Sequence, residues 1–381
     1  MMSPFEKRML VYPWMVVWAY IMMCTYWIAT GTGIFINSDF VCFYSASAKA
    51  LYGKVSDIYD IPKLLEFERQ IWEQIPGILP WVYPPTFLIL ISPLAILPYS
   101  LALFLWLAIT LTWYSLVLHK IAPHRCTIGL VLAFPGTFIN FCTGQNGFLS
   151  AFFLGAGLLL LERRPILAGT LLGLLTYKPQ LALLVAVALI ASRMWRAFAA
   201  ACGTAITLII CSIVFYGVDS WFAFFNTLPV FTQTWLNANS ASWQKMQTFF
   251  AFAKLIGLPT SVAYGLQFFF SLGAVIVVAW VWYKRIFPMA NVILTASVLL
   301  ATPYALVYDL PITGLTIGWY GWHGFKHGWL PGEKNVLALA WLMPFFSLLI
   351  AKLINIQITP IVLLAIIILA VRRVKAEIIS N

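Results

Sequence analysis

The chain has 381 residues, of which 62% are hydrophobic and only 9% are charged, and its formal net charge is +11. So few charged residues cannot cover the surface of a water-soluble domain. The composition therefore excludes a water-soluble protein and predicts an all-α polytopic membrane protein. The runs of apolar residues are close to the roughly 20 residues that a helical span needs, and they lack the period-two alternation of an outer-membrane barrel. The excess of Lys and Arg is explained by short basic cytoplasmic loops rather than by nucleic acid.

The first span and the first outer loop follow directly from the charge pattern. Lys7 and Arg8 place the amino terminus in the cytoplasm, so the span at about 10–33 leads outward. We expect residues 34–82 to form a first outer loop, which carries six of the twelve acidic residues. Within this loop a set of residues recurs on one helical face and predicts an interfacial helix: Val41, Tyr44, Ala48, Leu51 and Tyr52.

Two later regions, 86–118 and 165–192, are interrupted by prolines, and each is either one kinked span or two short ones. The positive-inside rule then places TGQNG and TYKPQ on the outside, together with a second outer loop at 217–258 and the segment TPYALVYDL. We expect one transmembrane domain over residues 1–381, with about 12 spans and no soluble domain. The six cysteines form no CxxC pair, which argues against a disulfide framework and against a metal site.

Two carboxylates are placed where ordinary solvation does not explain them. Asp39 follows the first span and Asp309 lies in TPYALVYDL, so each should sit at the outer face of the membrane. An ionisable group at that depth is costly and is therefore a functional candidate. The alternative for Asp39 is a helix N-cap on the interfacial helix.

Lys178 is the one cation between Arg164 and Arg193, and it lies amid apolar residues. Its position favours contact with a phosphate or another anion, although a lysine that snorkels to the interface is the alternative. Gln145 and Asn146, in GQNG, offer hydrogen-bond donors and acceptors, but a plain polar turn explains them almost as well. The YPP that begins at Tyr83 is a weaker signal still, because prolines commonly begin helices.

Five motifs occur in a fixed order: SDFVCFY (38–44), YPPTF (83–87), GQNG (144–147), GTLLGLLTYKPQ (169–180) and TPYALVYDL (302–310). Together they resemble the GT-C membrane glycosyltransferases. The closest resemblance is to glycosyltransferase family 87, which holds polyprenyl-phosphate-mannose-dependent mannosyltransferases and related arabinofuranosyltransferases. The stretch WQKMQTFFAF (243–252) also looks like a family motif.

The resemblance implies a GT-C-like fold and transfer of one sugar from a polyprenyl phosphate to a lipid or glycan acceptor on the extracytoplasmic side, in a bacterial cytoplasmic (inner) membrane. It implies that Asp39 is the catalytic base. The expected donor and phosphate contacts are Lys178, Tyr83, Gln145, Asn146, Tyr308 and Asp309. The expected substrate-lining residues are Tyr44, Trp243 and Gln247. Relatives that use mannose can carry histidines at the positions of Tyr308 and Asp309, so the sugar is left open between mannose and another pentose or hexose.

The chemistry expected of this set is single displacement with inversion, because one carboxylate has no evident second partner. Neither a cofactor nor a metal is expected, since no carboxylate cluster of ligand spacing accompanies Asp39. Two alternatives remain. A transporter or flippase of a lipid-linked or small polar substrate would favour repeated halves. A lipid-linked glycan ligase or polymerase would need a large outer loop with arginines and a histidine.

Overall fold

The computed structural model describes residues 4–30, 39–71, 80–237 and 240–380. The described chain is helical, with one isolated antiparallel bridge between Met246 and Leu306. The end of the predicted first span (31–33) and parts of the predicted first outer loop (34–38 and 72–79) lie outside the described residues. The described residues of the predicted second outer loop (217–237 and 240–258) are largely helical.

The α-helices of the described chain are numbered in order: α1 Pro4–Thr30, α2 Phe40–Tyr52, α3 Ile61–Ile71, α4 Pro85–Ile91, α5 Tyr99–Ile121, α6 Thr127–Ala133, α7 Pro135–Thr143, α8 Gly147–Leu160, α9 Pro165–Leu174, α10 Pro179–Ala191, α11 Trp195–Tyr216, α12 Val218–Phe231, α13 Ser240–Lys245, α14 Phe249–Leu255, α15 Thr260–Lys284, α16 Met289–Leu300, α17 Pro311–His327, α18 Glu333–Ile354 and α19 Thr359–Ser380. Shorter turns separate some of them: 3-10 turns at Val55–Tyr59, Ser92–Ile96, Leu175–Tyr177 and Val307–Asp309, and a π-helical turn at Thr232–Asn237.

Long apolar helices confirm the all-α polytopic membrane architecture. Within the described residues, five helices are long and apolar enough to cross a membrane: Val11–Thr30, Tyr99–Ile121, Trp195–Tyr216, Thr260–Lys284 and Glu333–Ile354. Shorter apolar helices of 10–17 residues accompany them, including α8, α10 and α16. α16 is buried along its whole length between α10, α15, α17 and α19, so it forms the centre of the bundle. The count of about 12 spans stays a prediction.

Prolines divide the two interrupted regions into separate helices. Region 165–192 contains α9 and α10, which are separated by the 3-10 turn Leu175–Tyr177, and Pro179 is the first residue of α10. Region 86–118 contains α4, a 3-10 turn and then α5, which begins after Pro98. Proline has a fixed φ and no N–H to donate, so it is suited to begin a helix and not to continue one.

α2 packs against the protein on one side and is exposed on another. Leu51 and Tyr52, on the face predicted to lie along the membrane, are exposed, whereas Ser45 and Ser47 are fully buried. The Ser47 hydroxyl donates to the carbonyl oxygen of Ile91 at 2.9 Å and also bonds within its own helix. Burying a hydroxyl costs little once it is hydrogen-bonded, so a polar residue can occupy the packed side. The first half of α2 is packed into the protein core, and the prediction that the helix lies at the membrane interface stays a prediction.

Candidate active site

Asp39 is held against the GQNG turn. Its backbone N–H donates to the carbonyl oxygen of Thr143 at 3.2 Å, and its carboxylate oxygen Oδ2 accepts a hydrogen bond from Nε2 of Gln145 at 3.0 Å. Asp39 does precede α2, but its side chain makes no capping hydrogen bond to that helix. The N-cap alternative therefore does not describe this carboxylate, whose position is set by a turn more than 100 residues away in sequence.

The GQNG turn is a buried structural joint between α7 and α8. Gly144 ends α7 with a left-handed φ of 69°, which glycine adopts without strain. The Asn140 side chain closes the turn, since it donates to the Gln145 carbonyl at 3.2 Å and accepts from the Gly147 N–H at 2.9 Å. A Cβ at Gly147 would lie 1.9 Å from the carbonyl oxygen of Tyr308, so only glycine allows the loop 301–310 to approach. The turn thus joins Asp39 to the segment that carries Asp309.

Lys178 and Asp309 form an ion pair in the protein interior. Lys178 Nζ lies 2.5 Å from Asp309 Oδ1, and the two side chains are 3% and 7% exposed. The other oxygen, Oδ2, accepts from the N–H of Leu306 at 3.0 Å. A buried charge is tolerated only when it is paired and hydrogen-bonded, and both conditions are met here. Lys178 is therefore not a snorkelling lysine, and the two candidates that the sequence placed 131 residues apart lie in direct contact.

Three buried tyrosines, Tyr83, Tyr304 and Tyr308, lie near the acidic side chains of this region. Burial raises the pKa of Tyr308 well above its usual value, and the nearby Tyr83, Tyr304, Asp309 and Asp39 add to the rise. Burial is also the main reason why the pKa of Tyr304 is raised, with further contributions from Asp309 and Asp39. Burial also raises the pKa of Tyr83 well above its usual value, and the nearby Asp309 adds to the rise. All three phenols are therefore neutral hydrogen-bond donors; Tyr304 and Tyr308 are close to both acidic side chains, and Tyr83 is close to Asp309.

Tyr304, Tyr177 and Glu68 belong to this region, but sequence reasoning did not select them. Tyr304 precedes Tyr308 by four residues in a motif already identified, so the motif contained the signal. The Tyr177 hydroxyl is 2.7 Å from Ser150 Oγ, and its ring stacks on Phe87 at 4.4 Å between centroids. Tyr177 directly precedes Lys178 and packs against Tyr83 and Phe87 of the YPPTF segment. It therefore holds the backbone from which the Lys178 side chain extends.

Glu68 is fully buried next to the thiol of Cys42. Cys42 lies on α2, three residues after Asp39. Burial raises the pKa of Glu68 from 4.5 to about 8, the contact with Cys42 opposes the rise and the charge of Asp39 adds to it. Glu68 lies in the charged stretch IPKLLEFERQ, where a solvated carboxylate is the ordinary expectation. Its sequence neighbours gave no sign that α3 turns this residue toward α2.

Three predicted lining residues make their contacts elsewhere in the described chain. The Tyr44 hydroxyl donates to the Leu97 carbonyl at 2.9 Å, so it anchors α2 on the helix break before α5. Trp243 Nε1 donates to the Leu236 carbonyl at 2.7 Å within the predicted second outer loop. Gln247 is fully buried, and its backbone N–H donates to the Ala305 carbonyl at 2.8 Å. This hydrogen bond ties Gln247 to the loop 301–310. Their role as substrate-lining residues stays a prediction.

The polar groups are therefore arranged for proton transfer and anion binding. Within the described residues, no three His, Cys, Asp or Glu side chains lie close enough together to hold a metal ion. The Asp39 carboxylate is oriented by the Gln145 amide, and the buried Lys178 ammonium is oriented by Asp309; the phenol of Tyr308 is near both carboxylates.

Comparison with known proteins identifies the family. The family model described as glycosyltransferase family 87 matches residues 81–306, which is more than half of the chain. The matched range includes Tyr83, the GQNG turn and Lys178, whereas Asp39 and Asp309 lie outside it. No curated protein and no solved structure matches the chain. The predicted resemblance is confirmed: this chain belongs to glycosyltransferase family 87 and is a membrane glycosyltransferase.

Proposed function

We propose that this enzyme transfers one sugar, mannose or another pentose or hexose, from a polyprenyl-phosphate donor to a hydroxyl group of a lipid or glycan acceptor. The observation that carries the proposal is a chain of contacts that links an oriented carboxylate, Asp39, to a buried cation, Lys178. Gln145 holds Asp39, the GQNG turn packs against the Tyr308 carbonyl oxygen, and the neighbouring Asp309 pairs with Lys178. Sugar transfer from a lipid phosphate needs these two kinds of group. The carboxylate accepts the acceptor's proton, and the cation stabilises the departing phosphate.

Asp39 is the proposed general base. Its Oδ2 is held by the Gln145 amide, which fixes the direction of the carboxylate. As the acceptor oxygen attacks the anomeric carbon, its proton passes to this carboxylate. The bond from the anomeric carbon to the phosphate oxygen breaks, and its electron pair leaves with the phosphate. No proton has to be supplied to the leaving group, because a phosphate is already a stable anion.

Lys178 is the proposed contact for the donor phosphate. An ammonium group has three N–H donors, and the bond to Asp309 uses one of them. Asp309 thus holds the lysine side chain in a fixed orientation when no donor is bound. In a site of low dielectric constant, a preoriented cation stabilises developing negative charge far more than it would in water. The neutral phenols of Tyr83 and Tyr308 are suited to donate further hydrogen bonds to phosphate oxygens.

The arrangement favours single displacement with inversion. A retaining mechanism needs a second carboxylate as nucleophile. Asp309 is a poor candidate for that role, because one of its oxygens is paired with Lys178 and the other accepts from the Leu306 N–H. The anomeric configuration of donor and product, determined by NMR, tests this step. A product with the donor's configuration would contradict it.

The proposed active site faces away from the cytoplasm. Lys178 precedes α10, which spans about 20 Å from there to Ala191 at 1.5 Å per residue. Arg193 follows the far end, where the guanidinium group of Arg285 also bonds to the Ser192 carbonyl. The basic residues mark that end as cytoplasmic by the positive-inside rule. On this basis the proposed site faces the periplasm or the exterior, and the bacterial cytoplasmic (inner) membrane is what the family resemblance implies.

The decisive test is Asp39→Asn, because asparagine keeps an oxygen that can accept from Gln145 but cannot take up a proton. Transfer should fall by about 10²–10⁴-fold, the usual contribution of a general base. The matched control is Asp60→Asn, which removes a partly exposed carboxylate near the same stretch of chain, where it pairs with Lys63. Both variants are assayed by mass spectrometry with a panel of polyprenyl-phosphate sugars. If Asp39→Asn turns over as fast as Asp60→Asn, Asp39 is not the base.

A further inference from the structure

An open groove runs along the lipid-facing side of the bundle, between α15 and α19. Its volume is about 730 Å³. One wall includes Phe269 and Ile276 of α15, the other includes Leu364 and Ile368 of α19, and Leu300 at the end of α16 closes the floor. Phe269, Ile276 and Ile368 are exposed, so the groove opens toward the surrounding lipid.

One end of this groove carries two cations. Arg372 and Lys375 line it, and every other lining residue is apolar. The guanidinium group of Arg372 donates one hydrogen bond to the Pro331 carbonyl at 2.6 Å, which orients it and leaves other N–H groups available. Both side chains are exposed. A groove that is apolar along its length and basic at one end is complementary to a lipid with a negatively charged head group.

The position of the cations identifies the membrane leaflet. The Thr359 hydroxyl at the start of α19 bonds to Gln247, beside the loop that carries Asp309. Arg372 and Lys375 follow 13 and 16 residues later, which corresponds to about 20–24 Å along the helix. A lipid whose phosphate contacts Lys178 cannot place that same phosphate at Arg372. The groove therefore takes a lipid of the opposite leaflet.

The length of the groove also fits one leaflet. From Leu364 to Lys375 the helix advances 11 residues, or about 16 Å. Half of a hydrocarbon core of about 30 Å is close to that length.

We propose that this groove binds one anionic glycerophospholipid, with an acyl chain against the apolar walls and the phosphate between Arg372 and Lys375. This site is separate from the proposed sugar-transfer site, and only its assignment to the opposite leaflet rests on that proposed function. Each Lys or Arg near an anionic membrane surface contributes about 1 kcal/mol, which corresponds to about fivefold in affinity. The two cations together should therefore give about a 30-fold preference for an anionic over a zwitterionic phospholipid.

Two variants separate the roles of charge and shape. Arg372→Gln/Lys375→Gln removes the cations and leaves the walls intact. Gly273→Leu keeps the cations and changes the shape of the groove. Gly273 lines the groove, and a Cβ there meets no atom within 4 Å. The leucine side chain should occupy the groove without straining α15. The charge-matched control is Lys120→Gln/Lys326→Gln, which removes two exposed cations that do not line the groove.

Native mass spectrometry of the detergent-purified full chain, titrated with phosphatidylglycerol, phosphatidylcholine and a polyprenyl phosphate, tests the proposal. We expect one tightly bound phosphatidylglycerol in the wild type and in the control. Arg372→Gln/Lys375→Gln should lose the preference for phosphatidylglycerol by about 30-fold. Gly273→Leu should weaken retention of both phospholipids.

Three outcomes would overturn the proposal. Equal binding of the two phospholipids to the wild type would show that the cations do not select a head group. Unchanged binding in both groove variants would place the lipid elsewhere. A polyprenyl phosphate that displaces phosphatidylglycerol in the wild type, but not in Arg372→Gln/Lys375→Gln, would identify a carrier-lipid site instead.

Discussion

Glu68→Gln tests whether the carboxyl group of Glu68, which is buried near the proposed base Asp39, binds a proton when the protein folds. Glu68 is fully buried, and burial raises its pKa from 4.5 to about 8. Because the folded-state pKa is the higher one, folding favours the protonated form. The stabilisation is complete below about pH 4.5 and is lost as the pH rises through about 8. Between these values the folded protein holds a proton that the unfolded chain has released.

The size of the effect follows from that difference in pKa. At 1.36 kcal/mol per pH unit, Glu68 should cost about 4 kcal/mol of stability between about pH 5 and about pH 8.5. Unfolding entropy of about 2.1 cal/mol/K per residue gives about 0.8 kcal/mol/K for a chain of this length. The wild-type melting temperature should therefore fall by about 5 °C relative to Glu68→Gln over this range. The glutamine keeps the size of the side chain and removes the titration.

The assay is thermal unfolding in detergent, followed by tryptophan fluorescence at a series of pH values. The measured quantity is the change with pH in the difference between the two melting temperatures, so a constant offset from the buried amide does not matter. Glu66→Gln is the control, because Glu66 is an exposed carboxylate on the same helix. If the curves of wild type and Glu68→Gln run parallel from about pH 5 to about pH 8.5, Glu68 is not the buried, proton-binding group described here.

The remaining predictions concern the ion pair and the turn. Lys178→Met leaves Asp309 as a buried unpaired charge and should cost about 3–5 kcal/mol in stability. The double variant Lys178→Met/Asp309→Asn should recover most of that stability, as measured by thermal unfolding. It should still require much higher donor concentrations for sugar transfer. If the double variant uses the donor normally, the role of the lysine is structural only. Gly147→Ala should destabilise the protein by about 1–3 kcal/mol and abolish transfer, since its Cβ would lie 1.9 Å from the Tyr308 carbonyl oxygen. Gly203→Ala, where a Cβ meets nothing within 4 Å, should be neutral or slightly stabilising; equal behaviour of the two alanine variants would contradict the close approach.

Several elements of the site could be predicted because they depend on local chemistry. Pro179 predicts a helix break, and a lysine at such a break amid apolar residues predicts an anion partner. The partner itself could not be found, because Asp309 lies 131 residues away and nothing near Lys178 specifies it. The Asn140 side chain, which closes the GQNG turn, lies in an apolar helix and gave no sign of its role.

The sequence by itself determined the membrane class, the helical architecture and the family, since these follow from hydrophobicity, proline positions and ordered motifs along one chain. The tertiary structure decided which polar groups meet: the amide of Gln145 with Asp39, and Asp309 with Lys178. It also decided that α3 buries Glu68 while Glu66 stays exposed. The physical reason is that hydrophobicity acts on each segment separately. Pairing of buried charges depends on how distant helices pack, and in a low-dielectric interior that pairing determines whether a charge can be buried at all.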